Sequence, residues 1–143
     1  MISAGLHETH CVEIVGVIGI VFSVDVFCRT LEITAPELPA LSPSEPIQNR
    51  PAGANQNGHC IQTIAPQDLG PEEADIYTNS NAANIYRALS LVPAEVRMFR
   101  NLVDHLYLPA DNIFNMETDY RVIGHAQIEL IAGRISVNNR CLH

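Results

Sequence analysis

Five prolines, Pro36, Pro39, Pro43, Pro46 and Pro51, crowd one short stretch of this chain, and Gly and Asn residues follow as far as Gly58. Proline fixes φ and has no N–H to donate, so neither a helix nor a central strand can run through them. Residues 35–60 therefore read as an extended, mobile linker. The linker parts an N-terminal piece, residues 1–34, from a C-terminal region, residues 61–143.

The N-terminal piece holds the most apolar run, CVEIVGVIGIVFSVDVFC over residues 11–28, bracketed inside by Glu13 and Asp25. Only Ile14 to Val24 is free of charge, short of the roughly 20 apolar residues of a spanning helix. No Lys or Arg precedes Arg29, so the basic region of a secretory signal is missing. A buried strand or a short apolar helix is expected instead, and the density of Val and Ile favours the strand.

The C-terminal region reads as helical throughout. Pro71-Glu72-Glu73 has the proline and acids of a helix start. A second helix is expected from near Asn81, with Ile85, Ala88, Leu89 and Val92 on one side. A third starts at Pro93, carries Val96, Phe99, Leu102, Val103 and Leu106 at helical spacing, and ends by Pro109. A short helix is expected over Asn112–Met116. The last runs from His125 to Val137, with Asn138-Asn139 as its stop.

A chain of 143 residues can bury one real core. All eight basic residues are arginines, and the net charge is −8. That balance argues against nucleic-acid and anionic-membrane partners, whose phosphates it repels, and no membrane partner is expected. The four cysteines stand at 11, 28, 60 and 141, and none completes a Cys-x-x-Cys pair. A disulfide framework is not expected; a reducing, cytoplasmic setting is.

Three blocks in the C-terminal region then come in a familiar order. Ile61-Gln62-Thr63-Ile64-Ala65-Pro66 is followed by Asp68 and Glu73. Asn84-Ile85-Tyr86-Arg87-Ala88-Leu89-Ser90 precedes Pro93. Ala126-Gln127-Ile128-Glu129-Leu130-Ile131-Ala132 leads to Ser136, Asn139 and Cys141. Together they resemble the alkylhydroperoxidase D-like (carboxymuconolactone decarboxylase-like) superfamily over residues 61–143; residues 1–60 match nothing in it. The resemblance implies a mainly α fold, a helical domain that assembles as a homo-oligomer, and no bound cofactor. It implies a peroxidase-like oxidoreductase that reduces a hydroperoxide substrate and is recharged by a dithiol.

Carried over by position, Glu129 takes the place of the family's proton-relay glutamate and Cys141 that of the first cysteine of its redox pair. His143 falls between the two cysteine positions. The second cysteine and a later relay histidine have no counterpart, because the chain ends at His143. The helical domain is thus expected to be truncated within the motif. The alternatives are a non-catalytic helical oligomerisation module and the lactone decarboxylase branch, which needs no cysteine pair.

Other chemistry-bearing residues have plainer readings. His7, His10 and Cys11 have the ligand types of a zinc site but imply no fourth ligand, so no metal is expected. His105 reads as a surface or capping residue and His125 as polar packing. Tyr86, Phe99, Tyr107 and Phe114 read as core. There is no G-x-S-x-G elbow and no phosphate-binding glycine loop.

Overall fold

The computed structural model describes residues 5–141 apart from 57, 79, 81, 110 and 111. The protein is mainly helical: α1 (Glu8–Thr30), β1 (Ala54–Asn55), β2 (Thr63–Ile64), a 3-10 turn (Pro66–Asp68), α2 (Asn84–Arg87), α3 (Pro93–Leu106) and α4 (His125–Asn138). Two compact units divide it, Met1–Leu102 and Val103–His143.

The apolar run is a helix and not a strand. His7 caps α1, accepting from the Thr9 N–H, while Glu8 and Arg29 sit at the ends that suit their charges. Val and Ile lose only tenths of a kcal/mol per residue in a helix. A strand would need neighbours for every N–H and C=O, and the only sheet among the described residues is the two-residue antiparallel pair Ala54↔Ile64 and Asn55↔Thr63. A helix satisfies its own backbone.

The core of the first unit gathers Val12 of α1, Ile64 of β2, Ile76, Tyr77, Leu89, Leu91, Val92 and Val96. Ile64 is tied at both backbone atoms. Its N–H donates to Ser90 Oγ at 2.8 Å, and its carbonyl accepts from the Tyr77 hydroxyl at 2.8 Å. Ser90 donates onward to the Arg87 carbonyl at 2.7 Å. Gly53 lets β1 come close to the 3-10 turn: a Cβ there would lie 1.8 Å from the Asp68 carbonyl oxygen.

Residues 33–51 form neither helix nor strand, as the prolines require, yet the far end of this segment is fastened. Thr9 Oγ1 donates to the Ile47 carbonyl, and the Ile47 N–H donates to Glu13 Oε1 at 3.2 Å. Arg50 pairs with Glu8 at 3.2 Å. The stretch from Pro71 is a series of turns and not a helix, α2 is a single turn, and 112–114 is a turn. These segments are short and bury few apolar side chains, so nothing offsets the cost of nucleating a helix. The third and last helices follow their periodicity to within a residue.

Glu95 on α3 is buried, 7% exposed, and its Oε2 has no hydrogen-bond partner. It faces Gly16 of α1, where a Cβ would lie 2.0 Å from that oxygen. Burial, and then the charge of Glu13, push its carboxyl above the ordinary 4.5. The folded state holds this proton more tightly than the unfolded chain, so the stabilisation is complete below pH 4.5 and is lost as pH rises through the raised value. Asp75 has the opposite sign. Its paired hydrogen bonds from Arg97, at 2.8 and 2.7 Å, lower it from 3.8 to about 2. Its contribution is present above pH 3.8 and is lost as pH falls toward about 2.

Urea midpoints measured at stepped pH should therefore fall on the neutral side of pH 4.5, and Glu95→Gln should flatten that limb while leaving the acid limb of Asp75 in place. Leu91→Ala, at a fully buried position, should cost about 2–5 kcal/mol in the same assay.

Candidate functional site

The second unit is organised by α4 and the segment that enters it. Leu108 is fully buried. Arg121 closes the end of α3, donating from Nη2 to the carbonyls of His105 at 3.0 Å and Tyr107 at 2.9 Å, and from Nε to Tyr107 at 3.0 Å. These are carbonyls that a helix end leaves without internal partners. At the start of α4, the Gly124 N–H donates to Gln127 Oε1 at 2.9 Å and the His125 N–H to Asp119 Oδ1 at 2.8 Å. Both orphan donors are thereby met.

This framework brings Tyr107, His125 and Glu129 together. His125 and Glu129 are four residues apart and share one face of α4. The His125 side chain is 0% exposed, and its Nε2 lies 3.4 Å from Glu129 Oε1. The Tyr107 hydroxyl donates to the same oxygen at 2.5 Å. His125 Nδ1 lies 2.9 Å from the Asn115 carbonyl, which only accepts, so Nδ1 carries a proton. Its Nε2 is directed toward Glu129. The Tyr107 hydroxyl is thus hydrogen-bonded to Glu129, while the buried His125 Nε2 lies 3.4 Å from the same oxygen without a hydrogen-bond partner.

Burial first, then the hydrogen bond to Glu129 and its charge, push the Tyr107 phenol far above its ordinary value of 10.0. Tyr107 is therefore a neutral donor at neutral pH. Beside it opens an apolar cleft of about 280 Å³, lined by Tyr107, Arg121, Ile128, Ile131 and Ile135 among others. The cleft suits an apolar group of modest size, next to a polar corner made by Tyr107 and Arg121.

Cys141 is exposed and not in a disulfide. It follows Arg140, whose φ is 53°, and its N–H donates to the Ser136 carbonyl at 2.9 Å. With the Arg140 N–H on the Val137 carbonyl at 3.1 Å, this is a Schellman close to α4. The helix continues from Glu129 to Asn138, about 14 Å of axial rise. Glu129 and Cys141 of one chain therefore do not touch. His143 lies outside the described residues.

Among the described residues, no group of three or more His, Cys, Asp and Glu side chains is placed to hold a metal. His7 Nδ1 lies 2.7 Å from Thr9 Oγ1, and the His7 and His10 rings are 5.7 Å apart. Tyr86 and Phe99 pack together against the first unit's core at 5.7 Å between ring centres, whereas Phe114 is exposed. His105 is exposed on α3. Tyr107 and Arg121 were not singled out as site residues by the sequence. The His125/Glu129 spacing was the available signal for part of the cluster, but nothing in the spacing gives the return of the chain that delivers Tyr107. Comparison with family models, with curated proteins and with solved structures finds no match.

An alkaline spectrophotometric titration of the native protein should show Tyr107 still protonated above pH 10.0. Tyr107→Phe should remove one late-ionising phenol from that curve.

Proposed function

We propose that the chain is a thiol-dependent, peroxidase-like oxidoreductase of the alkylhydroperoxidase D-like class, acting on hydroperoxides and recharged by a dithiol. The observation that carries this reading is the seating of Glu129 between the Tyr107 hydroxyl and His125, beside an apolar cleft, on the helix that ends at the exposed Cys141. A partly buried carboxylate with a hydroxyl donor on one side and a buried imidazole on the other is equipped to pass a proton.

In this reading the Cys141 thiolate attacks the outer oxygen of ROOH. The S–O bond forms as the O–O bond breaks, giving a sulfenic acid and an alkoxide. The relay returns the thiol's proton to the alkoxide, releasing ROH. A donor dithiol condenses with the sulfenic acid, releasing water, and its second thiol then displaces Cys141 as the free thiol. Because about 14 Å of helix separates Glu129 from the end of α4, the relay and the thiol meet between copies of the chain. The reading thus includes a homo-oligomer.

Purified protein should consume cumene hydroperoxide in the presence of dithiothreitol. Cys141→Ser should abolish turnover, and Glu129→Gln should lower it by about 10²-fold or more. An equimolar mixture of the two variants should recover part of the activity. Turnover that persists in Cys141→Ser would sink the assignment.

A second reading, a non-catalytic helical assembly module, is favoured by one observation. Helix α4 leaves Leu130 (75% exposed), Ile131, Ile135 and Val137 open to solvent, an apolar surface that a second copy would cover. If it holds, light scattering gives an oligomer, Leu130→Glu dissociates it, and no variant of Cys141 or Glu129 changes peroxide consumption.

A further inference from the structure

Helix α1 is only partly used by the core of its own unit. Thr9, Cys11, Val12, Gly16 and Cys28 are buried. Ile14, Val15, Val17, Ile18, Val21, Phe22, Val26 and Phe27 are exposed, Ile18 at 61% and Phe22 at 66%. Projected at about 100° per residue, these exposed side chains fall all round the axis and leave no empty arc wider than about 100°. A protein partner covers one stripe of a helix. A medium that is apolar on every side covers all of it.

The polar side chains of the exposed stretch point to the same medium, because each is satisfied within the helix. Ser23 Oγ donates to the Gly19 carbonyl at 2.7 Å and Thr30 Oγ1 to the Val26 carbonyl at 2.8 Å. Asp25 and Arg29 neutralise each other at 3.0 Å. Water makes such internal pairing unnecessary, whereas hydrocarbon makes its absence costly. The helix has the length and composition to cross a membrane, and its charge-free part, Ile14 to Val24, rises about 16 Å, about the depth of one hydrocarbon leaflet. Leu31, Ile33, Leu38 and Leu41 continue the exposed apolar surface. Between α1 and Ala35–Pro39 lies an apolar cleft of about 740 Å³, wide enough for an acyl chain.

We propose that α1 buries the stretch Ile14–Val24 in the hydrocarbon of a phospholipid bilayer, with Leu31–Leu41 beside it. Charge selects the kind of bilayer. Asp25, Glu32 and Glu37 surround the patch, its one arginine is already paired, and the chain carries −8. Hydrocarbon contact therefore drives the association, and anionic headgroups do not.

Flotation of the full-length protein with pure phosphatidylcholine vesicles tests this. The protein should float with the vesicles, 1 M salt should not release it, and phosphatidylserine should not increase binding. Ile18→Glu should lower the bound fraction about tenfold or more; the position is exposed, and an unchanged far-UV spectrum will show that the fold is kept. The chain has no tryptophan, so a Phe22→Trp reporter gives an independent signal: its emission should shift to the blue on vesicles and be quenched by spin-labelled acyl chains. Protein left at the bottom of the gradient overturns the proposal, as does binding that requires anionic lipid. So does a lipid-free oligomer that Ile18→Glu disperses, which would assign the patch to a second copy.

Discussion

The first unit depends on how Ile64 is held. It sits in a two-residue strand, and such a ladder supplies too few hydrogen bonds to hold itself together in water. Two side chains from later in the chain complete it, Ser90 taking the N–H and Tyr77 meeting the carbonyl. Once its polar backbone is satisfied, the fully buried Ile64 side chain can pack with Ile76, Leu91, Val92 and Val96. Ser90 in turn fixes the turn between α2 and α3, so the direction in which α3 leaves the core is set by the same oxygen. Without those two side chains, the core would contain an unpaired N–H and C=O, each costing about 1–3 kcal/mol.

Helix α1 is joined to this core at an unusual contact. Glycine at 16 allows a carboxylate, Glu95, to lie against the helix surface, and that carboxylate oxygen has no donor. Apolar burial alone would have put a small hydrophobic residue at position 95. The acid instead makes the seat of α1 sensitive to the protonation of Glu95, with the charge of Glu13 on the facing helix adding to the effect of burial. Past Gly16, α1 exposes apolar side chains on several sides, from Val17 and Ile18 to Phe27, although Cys28 is buried. The same helix is thus a core element near its start and largely uncovered along the middle of its length.

The helices that were legible in the sequence are those with a strong one-sided pattern or clear stop signals. Val96, Phe99 and Val103 mark α3, and Asn138-Asn139 mark the end of α4. For the run at 11–28 the sequence leaves strand and short helix open and its Val and Ile content favours the strand; backbone satisfaction decides for the helix in an isolated segment. The turns at 71–75 and 112–114 have good helix-start residues and no apolar face worth burying, so start signals alone were not enough. Of the expected linker, 35–60, the proline-bearing part lacks helix and strand, but Ala54–Asn55 form β1, and the fastening of Ile47 and Arg50 to α1 depends on contacts more than thirty residues apart. Of the Tyr107, His125 and Glu129 cluster, only the i, i+4 spacing of His125 and Glu129 was visible in the sequence. Tyr107 was not, because what matters is a hydroxyl brought back across a loop and not a periodicity.

The position of Glu129 on α4 sets the terms for any chemistry involving Cys141. Both belong to one rigid element and its Schellman close, so no rotamer change can bring them together; only a second chain, or further chain folding back along α4, can place a thiol near Glu129. The exposed apolar side chains Leu130, Ile131 and Ile135 flank Glu129 on this helix, and whatever covers them also dries the surroundings of the Tyr107–Glu129 hydrogen bond. Drying strengthens that bond, since it weakens as the local dielectric rises. Under the proposed function, assembly and proton transfer would be coupled through one surface: packing that hides the apolar face of α4 would also make its carboxylate an effective relay.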